Sequence, residues 1–446
     1  MTQSPSRAGT SPEHTPAEVR RVALASLVGT TIEWYDFFVY ASAAGLVFGP
    51  LFFTALDPTT ALLASFATIG VSFVARPIGG IVAGHLGDRF GRKGMLVATL
   101  LIMGLATTGV GLLPTYAAIG VAAPILLLAL RLLQGFSAGG EWGGAALMAV
   151  EHAPPGRRGF FGTYPQIGVP LGLVLANVVF LVASTATTRE QFLAWGWRIP
   201  FLLSILLVGV GLFVRARVSE SPVFSRLREH RERRSAPMAA VLRHHPRALL
   251  IAIGLFIANN MIGYLLIAFI TSYGTRTLKQ SSATMLAVGI VGAVVWGVAI
   301  VGSGAWSDRV GRRPVYLVGT IALIVWSFPF FLLLDTASLP WMLLAVAGLG
   351  VGLGLTYGPQ AAAYAELFPA PVRYSGASFA YAIGAILGGG FAPLVAQALI
   401  GATGTSLSVS VYMVIVCVIT LAAVLALREG TPAEREAFVE GEGVTH

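Results

Sequence analysis

Gly84-His-Leu-Gly-Asp-Arg-Phe-Gly-Arg-Lys93 returns 220 residues later (308 − 88 = 220) as Gly304-Ala-Trp-Ser-Asp-Arg-Val-Gly-Arg-Arg313. A second echo pairs Glu151…Arg158 with Glu366…Arg373 at an offset of 215 (366 − 151 = 215). The echoes follow the second and the fourth apolar run of each half of the chain. The chain is therefore read as two halves of one topology. Parallel repeats of this kind set a solute site between the halves near the membrane midplane, and the halves rock about it.

Outward from these echoes, hydropathy gives twelve apolar spans, at about 22–48, 60–84, 94–113, 119–150, 159–184, 197–217, 248–273, 283–305, 314–334, 340–366, 374–400 and 406–428. Each has the length of about 20 residues that a membrane-crossing helix needs. The expected fold is an all-α membrane protein of twelve transmembrane helices. Residues 1–21 read as a disordered tail, 22–217 as one six-helix half, 218–247 as a basic linker, 248–428 as the second half and 429–446 as a short tail. The chain has 446 residues, of which 56% are hydrophobic and 11% charged, against about 25% charged in a soluble domain. Met1 to Glu18 has no short apolar core before a cleavage site, so no cleavable signal peptide is expected. Cys417 alone excludes an internal disulfide.

Lys and Arg set the orientation. With the N-terminus inside, the inner segments hold 23 of the 29 basic residues, nine of them between Arg215 and Arg247. The outer loops hold Arg189, Arg276 and Lys279. Both termini are therefore expected in the cytoplasm, in a multi-pass protein of the cell inner (plasma) membrane. The net charge of +9 reads as this bias and not as nucleic-acid binding, and the linker arginines suit anionic lipid headgroups. No histidine, cysteine and carboxylate group completes a metal site. No phosphate-cradling loop or nucleophile–base pair is present, so neither a cofactor nor an enzyme is expected.

Arg76, Arg131 and Arg198 remain inside or at the ends of spans. So do two acids in Thr31-Ile-Glu-Trp-Tyr-Asp-Phe-Phe38. A charge at a helix centre costs roughly 2.5–3.5 kcal/mol on insertion scales and persists where it faces a water-filled path, a partner charge or a proton. Glu33 and Asp36, three apart, share one side of a helix. They are candidate proton carriers, with Asp36 the deeper; the competing reading is a permanent ion pair. Arg131, mid-depth in the fourth span, is the expected counter-ion of Asp36 or an anchor for solute. Arg76 offers a bidentate fork to a carboxylate, or pairs with Glu141, itself a further candidate for proton coupling. Arg198 reads as snorkelling to the interface or as part of an outer gate. The second half offers neutral groups: Asn259, Asn260, Tyr264, Trp296, Tyr357, Gln360, Tyr364 and Tyr381. Tyr357, Gln360 and Tyr364 have the spacing of one helical stripe. Trp34, Tyr35, Tyr40 and Trp296 are candidates for an aromatic cage around a quaternary ammonium.

The repeated loop motif resembles the signature of the major facilitator superfamily. Gly29-Thr-Thr-Ile-Glu-Trp-Tyr-Asp-Phe-Phe38, Arg76-Pro-Ile-Gly-Gly80, Arg131-Leu-Leu-Gln-Gly-Phe-Ser-Ala-Gly-Gly-Glu-Trp-Gly-Gly144, Trp197-Arg-Ile-Pro-Phe201 and Glu366-Leu-Phe-Pro369 resemble its metabolite:proton symporter branch, which includes proline/betaine, α-ketoglutarate, citrate and shikimate transporters. The resemblance implies proton-coupled uptake of a small solute that bears a carboxylate. Together with the reading of the residues above, it makes Asp36, Glu33 and Glu141 the candidates for the proton, and Arg76, Arg131, Gln134, Tyr35, Asn259, Asn260, Tyr264, Tyr357 and Gln360 the candidates for the solute. Gating falls to Gly84, Asp88, Arg89, Gly91, Arg92, Asp308, Arg309, Gly311 and Arg312. The tail after Arg428 has no sustained heptad, unlike the osmosensing members. Gly168-Val-Pro-Leu-Gly172 lacks the Gly-Pro pair of antiporters, which favours symport. A monomer with solute, protons and membrane lipid as partners is expected. The rival readings are proton-driven export of amphipathic compounds and a solute sensor that does not transport.

Overall fold

A computed structural model describes residues 16–90, 92–139, 141–151, 153–154, 156–216, 237–369 and 372–430; within these, the side chains of 16–23, 25, 83–90, 92–96, 141, 214–216 and 237–240 are not described. Among the described residues, twelve long helices form the bundle. In the first half they are α1 (Pro16–Leu46), α2 (Pro58–Phe90), α3 (Arg92–Leu112), α4 (Ala122–Glu151), α5 (Arg158–Thr185) and α6 (Ile199–Ala216). The second half has α7 (Pro246–Arg276), α8 (Ser282–Val310), α9 (Arg312–Leu334), α10 (Leu339–Leu367), α11 (Arg373–Thr403) and α12 (Leu407–Ala426). Large apolar side chains such as Leu112, Val121, Leu206, Val298 and Val325 lie on the outer surface, as a protein solvated by lipid tails requires.

The repeat extends into the backbone. α4 is interrupted after Ser137 and α10 after Tyr357, again 220 residues apart (357 − 137 = 220). The second break follows from Pro359, which has no N–H to continue the ladder. α7 and α11 each carry one wider π turn, at Leu265–Phe269 and Ile386–Gly390. Such turns concentrate at functional sites, and these two flank the cavity described below. α4 lies against α2 backbone to backbone. A Cβ on Gly135 would fall 2.1 Å from the Ser72 carbonyl oxygen, and one on Gly139 2.1 Å from that of Arg76. This small-xxx-small crossing brings Arg76 and Arg131 close to each other.

The helices run past the apolar spans. α8, expected to end near 305, continues to Val310, so the second loop motif is largely helical. Gly311 stops it at φ 100°, a conformation open to glycine. The Asp308 carboxylate accepts hydrogen bonds from the backbone N–H groups of Gly159 (2.7 Å) and Phe160 (2.8 Å), at the N-terminus of α5 in the other half. An anion is favoured there by the unpaired amides and the helix dipole. Arg312 bridges Asp308 (2.8 Å) and Glu366 (3.0 Å), and Arg373 reaches Glu151 across the halves at 3.4 Å. Asp308, Arg312 and Gly311 thus form a joint between halves at the end of the bundle that carries the basic connections. In the first copy of the motif Gly91 and the side chains of Gly84, Asp88, Arg89 and Arg92 lie outside the described residues. At the opposite end Arg276 donates to the Pro58 carbonyl (3.3 Å), and Gly45 packs against the Ala268 carbonyl. The halves therefore touch at both ends.

A Cβ at Gly304 would meet the Thr163 methyl at 2.2 Å and the Gly159 carbonyl oxygen at 2.8 Å. Gly304→Val is expected to disfavour closure at the basic end by about tenfold or more, since overpacking costs roughly 1–3 kcal/mol. A single cysteine at the buried Ala361, in a Cys417→Ser background, reads this as faster maleimide labelling. Unchanged labelling would rule the crossing out as a gate contact.

Candidate solute and proton site

The site grows from the α1 stretch Glu33 to Tyr40. Helical spacing sends Glu33, Phe37 and Tyr40 toward α2 and α4, and Tyr35 and Asp36 toward α6 and α3. Glu33 is 5% exposed and Asp36 1%. Ser204 on α6 donates to Asp36 Oδ1 at 2.6 Å, and the Thr107 hydroxyl on α3 lies beside the same carboxyl. Asp36 Oδ2 has no hydrogen-bond partner. Arg131 is not within ion-pair distance of Asp36, contrary to the expected direct pairing. Two side chains separate them: Arg131 donates to Gln134 Oε1 (3.0 Å), Gln134 donates to Thr107 Oγ1 (2.8 Å), and the Thr107 hydroxyl, beside Asp36, donates to the Met103 carbonyl (2.9 Å). An amide that accepts at one end and donates at the other spans a gap that a direct pair would have closed.

Arg131 and Arg76 are held by rings. The Arg131 guanidinium carbon lies 4.0 Å from the Tyr40 ring centre and 5.0 Å from that of Phe37. That of Arg76 lies 4.2 Å from Phe37 and 4.3 Å from Phe73. Phe37 is thus shared by both cations. In each arginine Nε and Nη2 are buried and make no hydrogen bond. Two cavities of about 20 Å³ each lie nearby, room for about one water apiece; Arg76 lines the second and Arg131 lines neither. The first is lined by Trp34, Phe38, Val169, Phe256, Asn259, Asn260, Gly263, Tyr264, Ile267, Trp296, Tyr357 and Tyr381. The second is lined by Glu33, Trp34, Arg76, Trp142, Ser378 and Tyr381, among others. Trp34 and Tyr381 face both.

Among the residues expected to meet solute, Arg76, Asn260, Tyr264 and Tyr357 line these cavities. Asn259 also borders the first, but its amide nitrogen is used by the Leu353 carbonyl (2.9 Å) and Thr356 Oγ1 (2.8 Å) on α10. Tyr35 lines neither; its hydroxyl donates to the Pro200 carbonyl at 2.6 Å and fixes α1 to α6. Gln134 is occupied by Arg131 and Thr107. Gln360 is fully buried off the cavities with its amide unpartnered. The expected stripe of Tyr357, Gln360 and Tyr364 is broken by the kink at Pro359, and the Tyr364 hydroxyl donates to the Ala252 carbonyl. In the expected cage, Trp34 and Trp296 line the first cavity while Tyr40 lies under Arg131. Arg198 donates to the Gly111 and Leu113 carbonyls (2.7 Å each) and caps the end of α3. The Glu141 side chain lies outside the described residues.

Sequence reasoning missed several groups. Trp142 stacks on Tyr381 at 3.9 Å and 9°, and Tyr381 stacks on Phe256 at 4.3 Å. Trp142 Nε1 donates to Gln166 (2.8 Å), and Gln166 donates to the Tyr357 carbonyl (3.2 Å). These join the halves beneath the first cavity. Gln166, an amide in the middle of an apolar span, carried a readable signal. Ser204 and Thr107 did not, because lone hydroxyls in membrane helices usually bond to their own backbone.

The sequence profile of the Major Facilitator Superfamily matches residues 27–389, with a second match at 304–445. The chain belongs to this superfamily. Its relatives are transporters and not enzymes. It is 42% identical over 427 residues to the inner membrane metabolite transport protein YhjE of Escherichia coli K12, covering 94% of this chain and 96% of that one. It is 39% identical to the shikimate transporter of the same organism (94% and 96% covered). It is 35% identical to the glycine betaine/proline/ectoine/pipecolic acid transporter OusA of Dickeya dadantii (92% and 83% covered). The fold matches the proton:xylose symporter XylE of E. coli with a TM-score of 0.74 at 18% identity, over 95% of this chain and 99% of that one.

In this superfamily bundle Asn259 acts as a strut between α7 and α10. Asn259→Leu keeps the volume and removes both bonds. It is expected to cost about 1–3 kcal/mol, read as a lower midpoint of thermal unfolding in detergent. An unchanged midpoint would remove the strut from the account.

Proposed function

We propose that the protein is a proton symporter for uptake of a small metabolite bearing a carboxylate, such as a zwitterionic osmolyte or a mono- to tricarboxylate. The observation that carries this is the pair of buried guanidinium groups at Arg76 and Arg131, each with two nitrogens lacking an acceptor, with Arg76 lining the second cavity, which both halves build. A carboxylate offers about four lone-pair sites and pairs with such forks. The solutes named for the shikimate transporter and for OusA all carry a carboxylate. An exporter of amphipathic compounds would gain nothing from cations left unsatisfied at its centre.

Asp36 is the proposed proton site. As an anion this buried carboxyl would have one oxygen unsolvated; a proton on Oδ2 removes that cost. Its charge state is felt by Arg131 across Thr107 and Gln134. With Asp36 ionised, both side chains and the guanidinium are drawn toward it. With Asp36 protonated, Arg131 is free to hold the solute. Proton binding therefore precedes solute binding, and the loaded site closes between the halves. Glu33 and Glu141 are the remaining candidates for a proton. The expected orientation, with both termini cytoplasmic, makes the basic end the inner gate.

In proteoliposomes an inward proton gradient is expected to drive accumulation of a carboxylate solute. Asp36→Asn should lose that accumulation while keeping solute exchange in the absence of a gradient. Arg131→Lys should raise KM about tenfold or more, because an ammonium lacks the fork. Accumulation that survives collapse of the gradient would sink symport; accumulation unchanged in Asp36→Asn would move the proton to Glu33 or Glu141.

A further inference from the structure

The first cavity holds donors that a carboxylate alone does not use. The four free nitrogens of Arg76 and Arg131 already match the capacity of one carboxylate. Beyond them, Trp296 Nε1 and Asn260 Nδ2 are buried without an acceptor, and the buried Tyr264 hydroxyl, beside the Arg76 guanidinium, has no other partner. All three residues line the cavity and are no more than 6% exposed. An indole N–H only donates, so Trp296 has an unmet requirement for an oxygen. No carboxylate side chain lines this cavity. Trp296 also stands 220 residues from Arg76 (296 − 76 = 220), the offset of the repeat. The same register that supplies a charged donor in the first half supplies a neutral donor in the second.

These features separate the candidate solutes. A quaternary ammonium would satisfy the ring faces, but it has no lone pair. Its binding would seal Trp296 Nε1 and Asn260 Nδ2 without acceptors, at a loss of about 5- to 150-fold in affinity for each. A hydroxylated body meets both needs. Its oxygens accept from the two N–H groups, its hydroxyl protons find the Tyr264 oxygen, and its carbon face lies on the rings. Resting on the symport reading above, we propose that the solute is a hydroxylated monocarboxylate. Arg76 and Arg131 hold its carboxylate, and Trp296 with Asn260 recognises its hydroxyl oxygens and sets specificity.

The test compares three probes on the purified full chain in detergent by calorimetric titration: shikimate, its deoxy analogue cyclohexene-1-carboxylate, and glycine betaine. Shikimate is expected to bind about tenfold or more tightly than either of the others. Trp296→Phe, which keeps a ring, should shrink the shikimate-to-deoxy ratio by about tenfold. Asn260→Leu should shrink the same ratio independently, and a ratio is insensitive to the fraction of protein that is folded. Deoxy acid or betaine binding as tightly as shikimate overturns the proposal while leaving carboxylate recognition intact. A ratio untouched by both variants also overturns it. Absence of binding by every carboxylate overturns this proposal together with the symport reading on which it rests.

Discussion

A guanidinium cannot shed its proton inside a protein, and in a membrane-spanning bundle its charge must be compensated where it stands. Arg76 and Arg131 meet this constraint largely through ring faces: Phe37 between them, Tyr40 beneath one and Phe73 beside the other. A desolvated cation–π contact is worth about 2 kcal/mol, comparable with the insertion cost of a charge. The choice of ring over carboxylate matters. A carboxylate would stabilise the cations and also consume their N–H groups. A ring stabilises the charge and leaves the in-plane donors open. The aromatic density of α1 between Trp34 and Tyr40 is thus what allows two cations to be kept in a dry core and yet remain available.

The fold was legible because its signals are long-range regularities: twelve apolar runs, one repeated loop, a charge bias between the ends. The Glu33–Asp36 stretch stood out as a candidate too, because charge is rare in such a chain. What stayed hidden was who meets whom. Asp36 and Arg131 looked like partners because opposite charges in apolar helices attract, but Gln134 and Thr107 intervene; the Arg131-Leu-Leu-Gln-Gly pattern points to Gln134 as a solute residue and not as a spacer, and Thr107 has no signal beyond its own polarity. Tyr35 and Asp36 both turn toward α6, where the Tyr35 hydroxyl is spent on the Pro200 carbonyl and Tyr35 lines neither cavity. The Tyr357–Gln360–Tyr364 spacing presumed an unbroken helix, and Pro359 breaks it. Periodicity predicts a face only where the ladder runs through.

Closure is layered. At the basic end Asp308 caps α5 of the other half, and Arg312 ties that carboxylate to Glu366. Deeper in, the stack of Trp142 on Tyr381 on Phe256 and the bond from Gln166 to the Tyr357 carbonyl join the halves again. The outer layer is charged; the inner is aromatic with one chain of hydrogen bonds, and lies beneath the first cavity. Tyr381 belongs to both the stack and the cavity wall. On the proposed reading, a solute seated there presses on the ring that joins the halves, and occupancy and gating share a residue, as coupling between a ligand and a two-state element requires.

The division of groups between halves adds a further step. Ser204, Asp36, Thr107, Gln134 and Arg131 all belong to the first half, so the side chains between Asp36 and Arg131 lie within one six-helix unit. The groups around the solute cavity come from both halves, with Trp34 and Phe38 on one side and Asn260, Tyr264, Trp296 and Tyr381 on the other. On the proposed reading, a proton changes the affinity of one half without moving it against the other, and only the solute, by bridging both, stabilises their closed arrangement. A proton alone would then leave the gates unbiased, and solute alone would meet an arginine already drawn toward an ionised Asp36. On that reading, coupling follows from the placement of the mid-membrane charges in one half, with the neutral donor Trp296 at the register of Arg76 in the other.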